Sequence, residues 1–220
     1  MDLSLLKDCS LFRGVEEGEL AALLKCMEAR AVRYGKGETI FHAGDPAARV
    51  GVVLSGEVQI TREDYRGNRS VLAVLGPAQL FGEVFACAGV ERLPVRAAAA
   101  MDSEILLVSC ARIITTCSGA CLFHNRVVAN LLRIVAAKNL VLNQKIELLS
   151  QKTTREKLLA FLHLHGEGKE GRTFTIPYDR QALADYLGVE RSAMSTELGK
   201  LRKAGILESE GSHFRLLKEV

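Results

Sequence analysis

Residues Asp179–Ala204 read DRQALADYLGVERSAMSTELGKLRKA, and two helical periods run through them. Leu183 and Leu187 mark the apolar side of the first, and Met194, Leu198 and Leu201 that of the second, with a break at Gly188-Val189. Ala184 is small enough to let two helices cross closely, and Gly188 accepts the positive φ of a sharp turn. The outward side of the second helix carries Arg191, Ser192, Ser195, Thr196 and Lys200. A helix, a glycine turn and a second helix with such a face form the pattern of a helix-turn-helix, whose second helix enters the major groove of DNA. An ordinary helical hairpin packed on a core is the competing reading, and the rest of the chain decides against it.

Composition sets the frame. A chain of 220 residues has room for one or two domains with proper cores. With 48% hydrophobic and 25% charged residues it reads as globular, and 5% aromatics without Trp offer no base-stacking surface for single strands. A net charge of +3 is too weak to argue for nucleic acid by itself. Its distribution says more, because Arg191, Lys200, Arg202 and Lys203 face a single Glu197 within one short segment.

The N-terminus, MDLSLLKDCSLF, lacks the basic region and apolar run of a signal peptide. No apolar stretch reaches the ~20 residues of a membrane span, and the best candidate is interrupted by Lys138. Six cysteines without an export signal are expected to be reduced thiols, which places the chain in the cytoplasm.

Upstream, Glu16, Glu17 and Glu19 open a helix that continues through Leu20, Leu23, Leu24 and Met27, with the acids suited to its dipole. From Ala31 to about Val108 the period changes to two. Strands are expected at Glu38–Phe41, Val50–Leu54, Glu57–Thr61, Ser70–Leu75 and Ile105–Val108, separated by glycine-bearing turns. Many short strands of this kind build a closed or double-sheet β structure. Residues 119–150 form one long helix with two apolar columns at seven-residue spacing, Val127, Ile134, Val141, Leu148 and Val128, Val135, Leu142, Leu149. Leu131 and Leu132 reinforce the stripe. Such heptads read as a coiled-coil seam with a second copy, so Val127, Val128, Leu131, Ile134, Val135, Val141 and Leu142 are the expected dimer contacts.

Thr153 or Thr154 caps a further helix through Leu158, Leu159, Phe161 and Leu162. A short strand at Phe174–Pro177 leads into the two motif helices, and Ile206–Leu217, weakly alternating around Gly211, suits a two-stranded wing. The expected class is α+β: a sensor β-roll with an N-terminal helix (1–118), a dimerisation helix (119–150) and a winged helix-turn-helix (151–220).

The phrases Gly37-Glu38-Thr39-Ile40-Phe41, Ala43-Gly44-Asp45, Val52-Val53-Leu54-Ser55-Gly56-Glu57-Val58 and Phe81-Gly82-Glu83 resemble, in this order, the cyclic-nucleotide-binding β-roll. Together with Asp179–Ala204, they make the chain similar to the cyclic-AMP receptor/fumarate-nitrate regulator (CRP/FNR) family of bacterial transcription factors over nearly its whole length. The resemblance implies a homodimer on a near-palindromic operator of double-stranded DNA, an unidentified small-molecule effector, and contact with RNA polymerase. It puts Arg191, Ser192, Ser195 and Thr196 on base-reading positions, with Arg180, Lys200 and Lys203 as further DNA contacts. Arg191 is chemically suited to bidentate contact with guanine. Many relatives carry Glu and Arg where this chain has Ser192 and Thr196, and an apolar residue where it has Glu197, so its operator is expected to differ from theirs.

In nucleotide-binding relatives the Glu of the F-G-E phrase holds the ribose and an Arg nine residues on holds the phosphate. Gly82, Glu83 and Arg92 stand at those places. Leu93 and Pro94 follow where small or hydroxyl residues are usual, and the return to Val95-Arg96-Ala97 is one residue short, so the roll is expected to persist with an altered nucleotide site. The rival sensor is Cys110, Cys117, Cys121 and His124, soft ligands for zinc or an iron–sulfur cluster that equally suit packed thiols. Oxygen-sensing relatives use a dense N-terminal cysteine cluster, whereas here only Cys9 and Cys26 stand in that region.

Gly166-Glu167-Gly168-Lys169-Glu170-Gly171 matches G-x-G-x-x-G, but a dinucleotide site needs a strand before it and a helix after it. The reverse order is expected here, so it reads as a flexible loop. Metal oxygenases built on β-rolls need clustered His and carboxylates, and the roll holds only His42. With no triad, Walker or zinc-hydrolase motif, the chain is not read as an enzyme. The alternative of another class is a metal- or small-molecule-binding signalling module whose C-terminal domain docks protein.

Overall fold

The computed structural model describes residues 4–115, 122–166 and 173–218. It falls into two compact units, residues 1–137 and 138–220.

In the first unit, two short 3-10 turns precede α1 (Glu17–Cys26). Glu16 caps α1 through a capping box with Glu19, so the acids read from the sequence also satisfy end amides. The roll follows: β1 (Arg30–Tyr34), β2 (Thr39–Phe41), β3 (Arg49–Ser55), β4 (Val58–Glu63), β5 (Arg69–Leu75), β6 (Leu80–Phe81), a one-turn α2 (Glu83–Cys87), β7 (Arg96–Ala99) and β8 (Ser103–Ser109). Two four-stranded sheets form, in the orders β1-β8-β3-β6 and β2-β7-β4-β5, with antiparallel pairing throughout. Ile40, Val53, Val58, Phe81, Ala97, Ile105 and Leu107 fill the space between them.

On the first sheet, Val50, Val52, Leu54, Leu106 and Val108 face the other way, into a second core with Leu20, Leu23, Leu24 and Met27 of α1. Both faces of β3 and β8 are therefore covered, which is why they read as unbroken apolar runs rather than as strict alternation. Gly51 is required there, since a Cβ would lie 2.2 Å from the Phe81 ring.

A short α3 (Cys110–Ile114) leads towards α4 (Leu122–Ser150). The start of α4 corrects the seam expected from the heptads. Val127 is fully buried and Leu131 is 3% exposed, both within the core that holds Leu11, Phe12 and Ile113 of the same chain. Ile134 and Val135 pack at its edge. The apolar columns in these turns serve the fold of the chain itself, and Val127 and Leu131 offer nothing to a partner. Farther along, Leu132, Leu140, Val141, Leu142 and Ile146 are all at least 60% exposed.

The second unit holds α5 (Thr154–Gly166), β9 (Thr173–Thr175), α6 (Arg180–Leu187), α7 (Arg191–Lys203), β10 (Leu207–Glu210) and β11 (His213–Leu216). Thr153 makes the cap of α5: its hydroxyl accepts from the Glu156 amide, and the Glu156 carboxylate accepts from the Thr153 amide. The wing has three strands, in the order β10-β11-β9. Phe174 and Phe214 stack at 5.9 Å across it. Leu148, Leu158, Phe161, Leu162, Leu183 and Leu187 share one core with the inner side of α7. Of the G-x-G-x-x-G segment only Gly166 lies within the described residues; α5 precedes it and β9 follows.

Candidate nucleic-acid interface

Asp179 starts α6, its carboxylate accepting from the Ala182 amide at 2.7 Å. Gly188 ends it with φ +59°. The Gly188 amide donates to Asp185 O and the Val189 amide to Ala184 O, so the last carbonyls are satisfied by a Schellman closure. That closure fixes the angle at which α7 leaves. Met194, Leu198 and Leu201 hold α7 down, each at most 3% exposed.

The opposite side of α7 is open. Arg191, Ser192, Ser195, Thr196, Lys200, Arg202 and Lys203 are all exposed. Thr196 donates its hydroxyl proton to Ser192 O at 2.9 Å, which leaves its oxygen lone pair and methyl for a ligand. No side chain caps the start of α7 and no acid stands in its first turn, so the free amides and positive dipole end there suit an anion such as phosphate.

Glu197 is not a gap in the pattern. Its side chain is 17% exposed and pairs with Lys200 at 2.6 Å and, at 3.9 Å, with Arg155 of α5. The pair ties α7 to α5 and holds the Lys200 ammonium, which makes Lys203 and Arg191 the freer cations. Sequence spacing pointed to Lys200 but could not show Arg155.

Arg180 sits differently from the rest. It is half-buried at the head of α6, its guanidinium 5.1 Å above the Phe214 ring and one nitrogen 3.5 Å from Ser209 Oγ. Its Nη1 is buried with no hydrogen-bond partner among the described residues. Burial, and then the charge of Arg202, pull its pKa down. A cation in that setting is stabilised by an anion brought to the surface beside it.

In the roll, Gly82 takes φ +82° and starts α2, and a Cβ there would meet Arg49 O at 3.1 Å. Glu83 is 1% exposed. Arg92 lies on the surface, and its guanidinium donates to Gly44 O at 2.9 Å. Two backbone bonds, Gly44 N–H to Leu93 O and Leu93 N–H to Asp45 O, both 2.8 Å, fasten the same segment to the turn before β3. Leu93 is buried. One donor of the Arg is thus spent on the Gly44 carbonyl, while the side chain itself stays exposed. A cavity of about 420 Å³ opens on the roll, lined by His42, Ala43, Thr61, Glu63, Arg69 and Arg96, a set that includes none of Gly82, Glu83 and Arg92.

The cysteine reading divides. Cys117 and Cys121 lie outside the described residues. Cys110 approaches Cys87, Sγ to Sγ 3.9 Å, while the ring of buried His124 lies 3.9 Å from Cys26 Sγ and 2.9 Å from Ile113 O. Cys110 and His124 therefore have different neighbours. Among the described residues no group of three or more His, Cys, Asp or Glu could hold a metal ion.

Two family models match the chain in this order: a cyclic nucleotide-binding domain over residues 31–118 and a Crp-like helix-turn-helix domain over residues 156–219. The cyclic AMP receptor protein of Thermus thermophilus is 29% identical over 203 residues, covering 92% of this chain and 89% of that one. The chain belongs to the CRP/FNR family. The crystal structure of the Thermus thermophilus catabolite activator protein matches with a TM-score of 0.56 at 25% identity, over 94% of this chain and 93% of that one. A CRP-like cAMP-activated global transcriptional regulator of Mycobacterium tuberculosis is 35% identical over 80 residues, and in that match this chain spans 35% of its length. Members of the CRP/FNR family among these matches are transcription regulators rather than enzymes. No helix of this chain among the described residues is long and apolar enough to cross a membrane.

Proposed function

We propose that the chain is a homodimeric transcription regulator that reads a near-palindromic operator through α7 and answers to an effector held by the roll. The carrying observation is the outer side of α7: Arg191, Ser192, Ser195 and Thr196 stand exposed above a packed inner face, at the positions from which a recognition helix meets base edges. Arg191 would take a guanine, while Lys203 and Arg180 would take phosphates that set register without reading sequence.

The exposed apolar residues of α4, Leu132, Leu140, Val141, Leu142 and Ile146, support dimerisation, since isolated chains rarely leave so many large apolar side chains of one helix in water. The functional parts are then the roll (1–118), the dimer helix (119–150) and the winged domain (151–220). Two copies of α7 held about 34 Å apart would meet successive major grooves on one side of the duplex. An effector that favours one arrangement of the dimer helices sets that spacing by population shift, and the bound protein then recruits or blocks RNA polymerase.

The Thermus and Mycobacterium relatives carry cyclic AMP in their names. In this chain Leu93, which is buried, and Pro94 follow Arg92 where small or hydroxyl residues are usual, and Arg92 spends one donor on Gly44 O, so the effector is proposed to be a different small molecule. Sedimentation of the full chain tests the dimer. Wild type is expected as a dimer that Val141→Glu converts to monomer; a wild-type monomer at micromolar concentration would contradict it.

A further inference from the structure

Cys87 and Cys110 lie 23 residues apart in sequence, yet their sulfurs approach to 3.9 Å. The fold brings them together by setting α2 against α3. Cys110 is the first residue of α3, 3% exposed within the main core, its amide bonded to Ala48 O at 3.0 Å and the helix start capped by Ser109. It is fixed. Cys87 is the last residue of the one-turn α2, exposed to solvent and followed within two residues by Gly89 at φ +66°. One thiol is anchored and the other is accessible on the end of a short helix. A disulfide needs about 2.05 Å between sulfurs, so the pair must close by roughly 1.9 Å, within reach of side-chain rotation at the α2 end.

We propose that Cys87 and Cys110 are a reversible oxidation site that forms an intramolecular disulfide by exchange with a small-molecule disulfide. Cys87 gives its proton to solvent, and its thiolate attacks one sulfur of the reagent. The reagent's S–S bond breaks and one half leaves as a thiolate. Cys110 then gives its proton to a released small thiolate and attacks the Cys87 sulfur; the S–S bond of the mixed disulfide breaks, and the second half leaves as a thiolate that takes a proton from solvent. Two protein thiols are oxidised and one small disulfide becomes two small thiols, so atoms and electrons balance. Burial pushes the Cys110 thiol up to about 12, and burial, with a further contribution from the Glu83 charge, raises Cys87, so the exchange quickens as pH rises. The bond would tie α2, which begins at Gly82-Glu83, to α3. The cross-link is independent of the proposed sensor role, whereas its effect on signalling rests on that role.

The test treats the full chain with oxidised glutathione, alkylates remaining thiols and maps all six cysteines by non-reducing peptide mass spectrometry. The expected product is a Cys87–Cys110 linked peptide, lost on adding reductant. Cys110→Ala should instead trap glutathione on Cys87, and Cys87→Ser should give neither product. A folded wild-type protein with no link, or with Cys87 or Cys110 joined to any other cysteine or to a second copy, overturns the proposal. Duplex binding by the oxidised protein reads the signalling consequence separately. Binding unchanged by oxidation would remove the consequence and leave the oxidation site standing.

Discussion

On α7, the polar residues Arg191, Ser192 and Ser195 stand free above a packed inner face. Around α2, the corresponding residues are engaged by the protein itself: Glu83 is buried, and Arg92 donates to Gly44 O. A glycine with positive φ precedes each set, Gly188 before α7 and Gly82 before α2. The difference is where the hydrogen-bonding capacity goes. In the winged unit both ends of α6 are satisfied locally, by Asp179 and by the Schellman closure, and Arg191, Ser192 and Ser195 on the outer face of α7 stay exposed. In the roll the loop after α2 is held by one donor of its own guanidinium and by two backbone bonds. Both scaffolds are present, and the two differ in how far the protein itself uses the polar groups they carry.

The largest expected effect breaks the scaffold of the open face. Leu198→Ala should destabilise the winged unit by about 2–5 kcal/mol, because a fully packed side chain leaves a cavity. Calorimetry should show it, together with loss of duplex binding; full binding by a destabilised protein would show that α7 need not be held as described. Next comes the matched pair. Arg191→Ala should cost about 1–3 kcal/mol at one base position and relax the footprint there. Arg92→Ala should change stability by no more than about 0.5–1.5 kcal/mol, the worth of one hydrogen bond, and leave the footprint intact. If the two results were exchanged, the contrast drawn between the sites would be wrong. Smallest is Lys203→Ala, expected to weaken binding evenly across sequences and to lower the slope of log affinity against log salt by about 0.9. An unchanged slope would remove Lys203 from the phosphate contacts.

How much of this was readable in the chain follows from the physics of each element. The α6–turn–α7 unit was readable because its signals are local: a capping Asp, a turn glycine and apolar residues at helical spacing. β3 and β8, with their runs of Val, Ile and Leu, were readable for the same reason. β7, Arg-Ala-Ala-Ala, was not, since alanines carry weak strand preference and become a strand only by pairing between β2 and β4. The heptads of α4 overstated the seam. An apolar column looks alike whether the chain's own core or a second copy covers it, and at Val127 and Leu131 it is the core. Spacing likewise gave the places of Glu83 and Arg92 but not the Gly44 carbonyl that engages the Arg, nor the approach of Cys87 to Cys110, which only the topology creates.

The central claim is that the open face of α7 reads duplex DNA as one half of a symmetric pair. Selection of duplexes from a randomised pool by the full-length protein measures this directly. The account predicts an enriched near-palindrome whose half-site centres lie one helical turn, about 34 Å, apart, with Arg191→Ala degrading one symmetric position in both halves. Recovery of no common sequence, or of a single unpaired half-site, would contradict it.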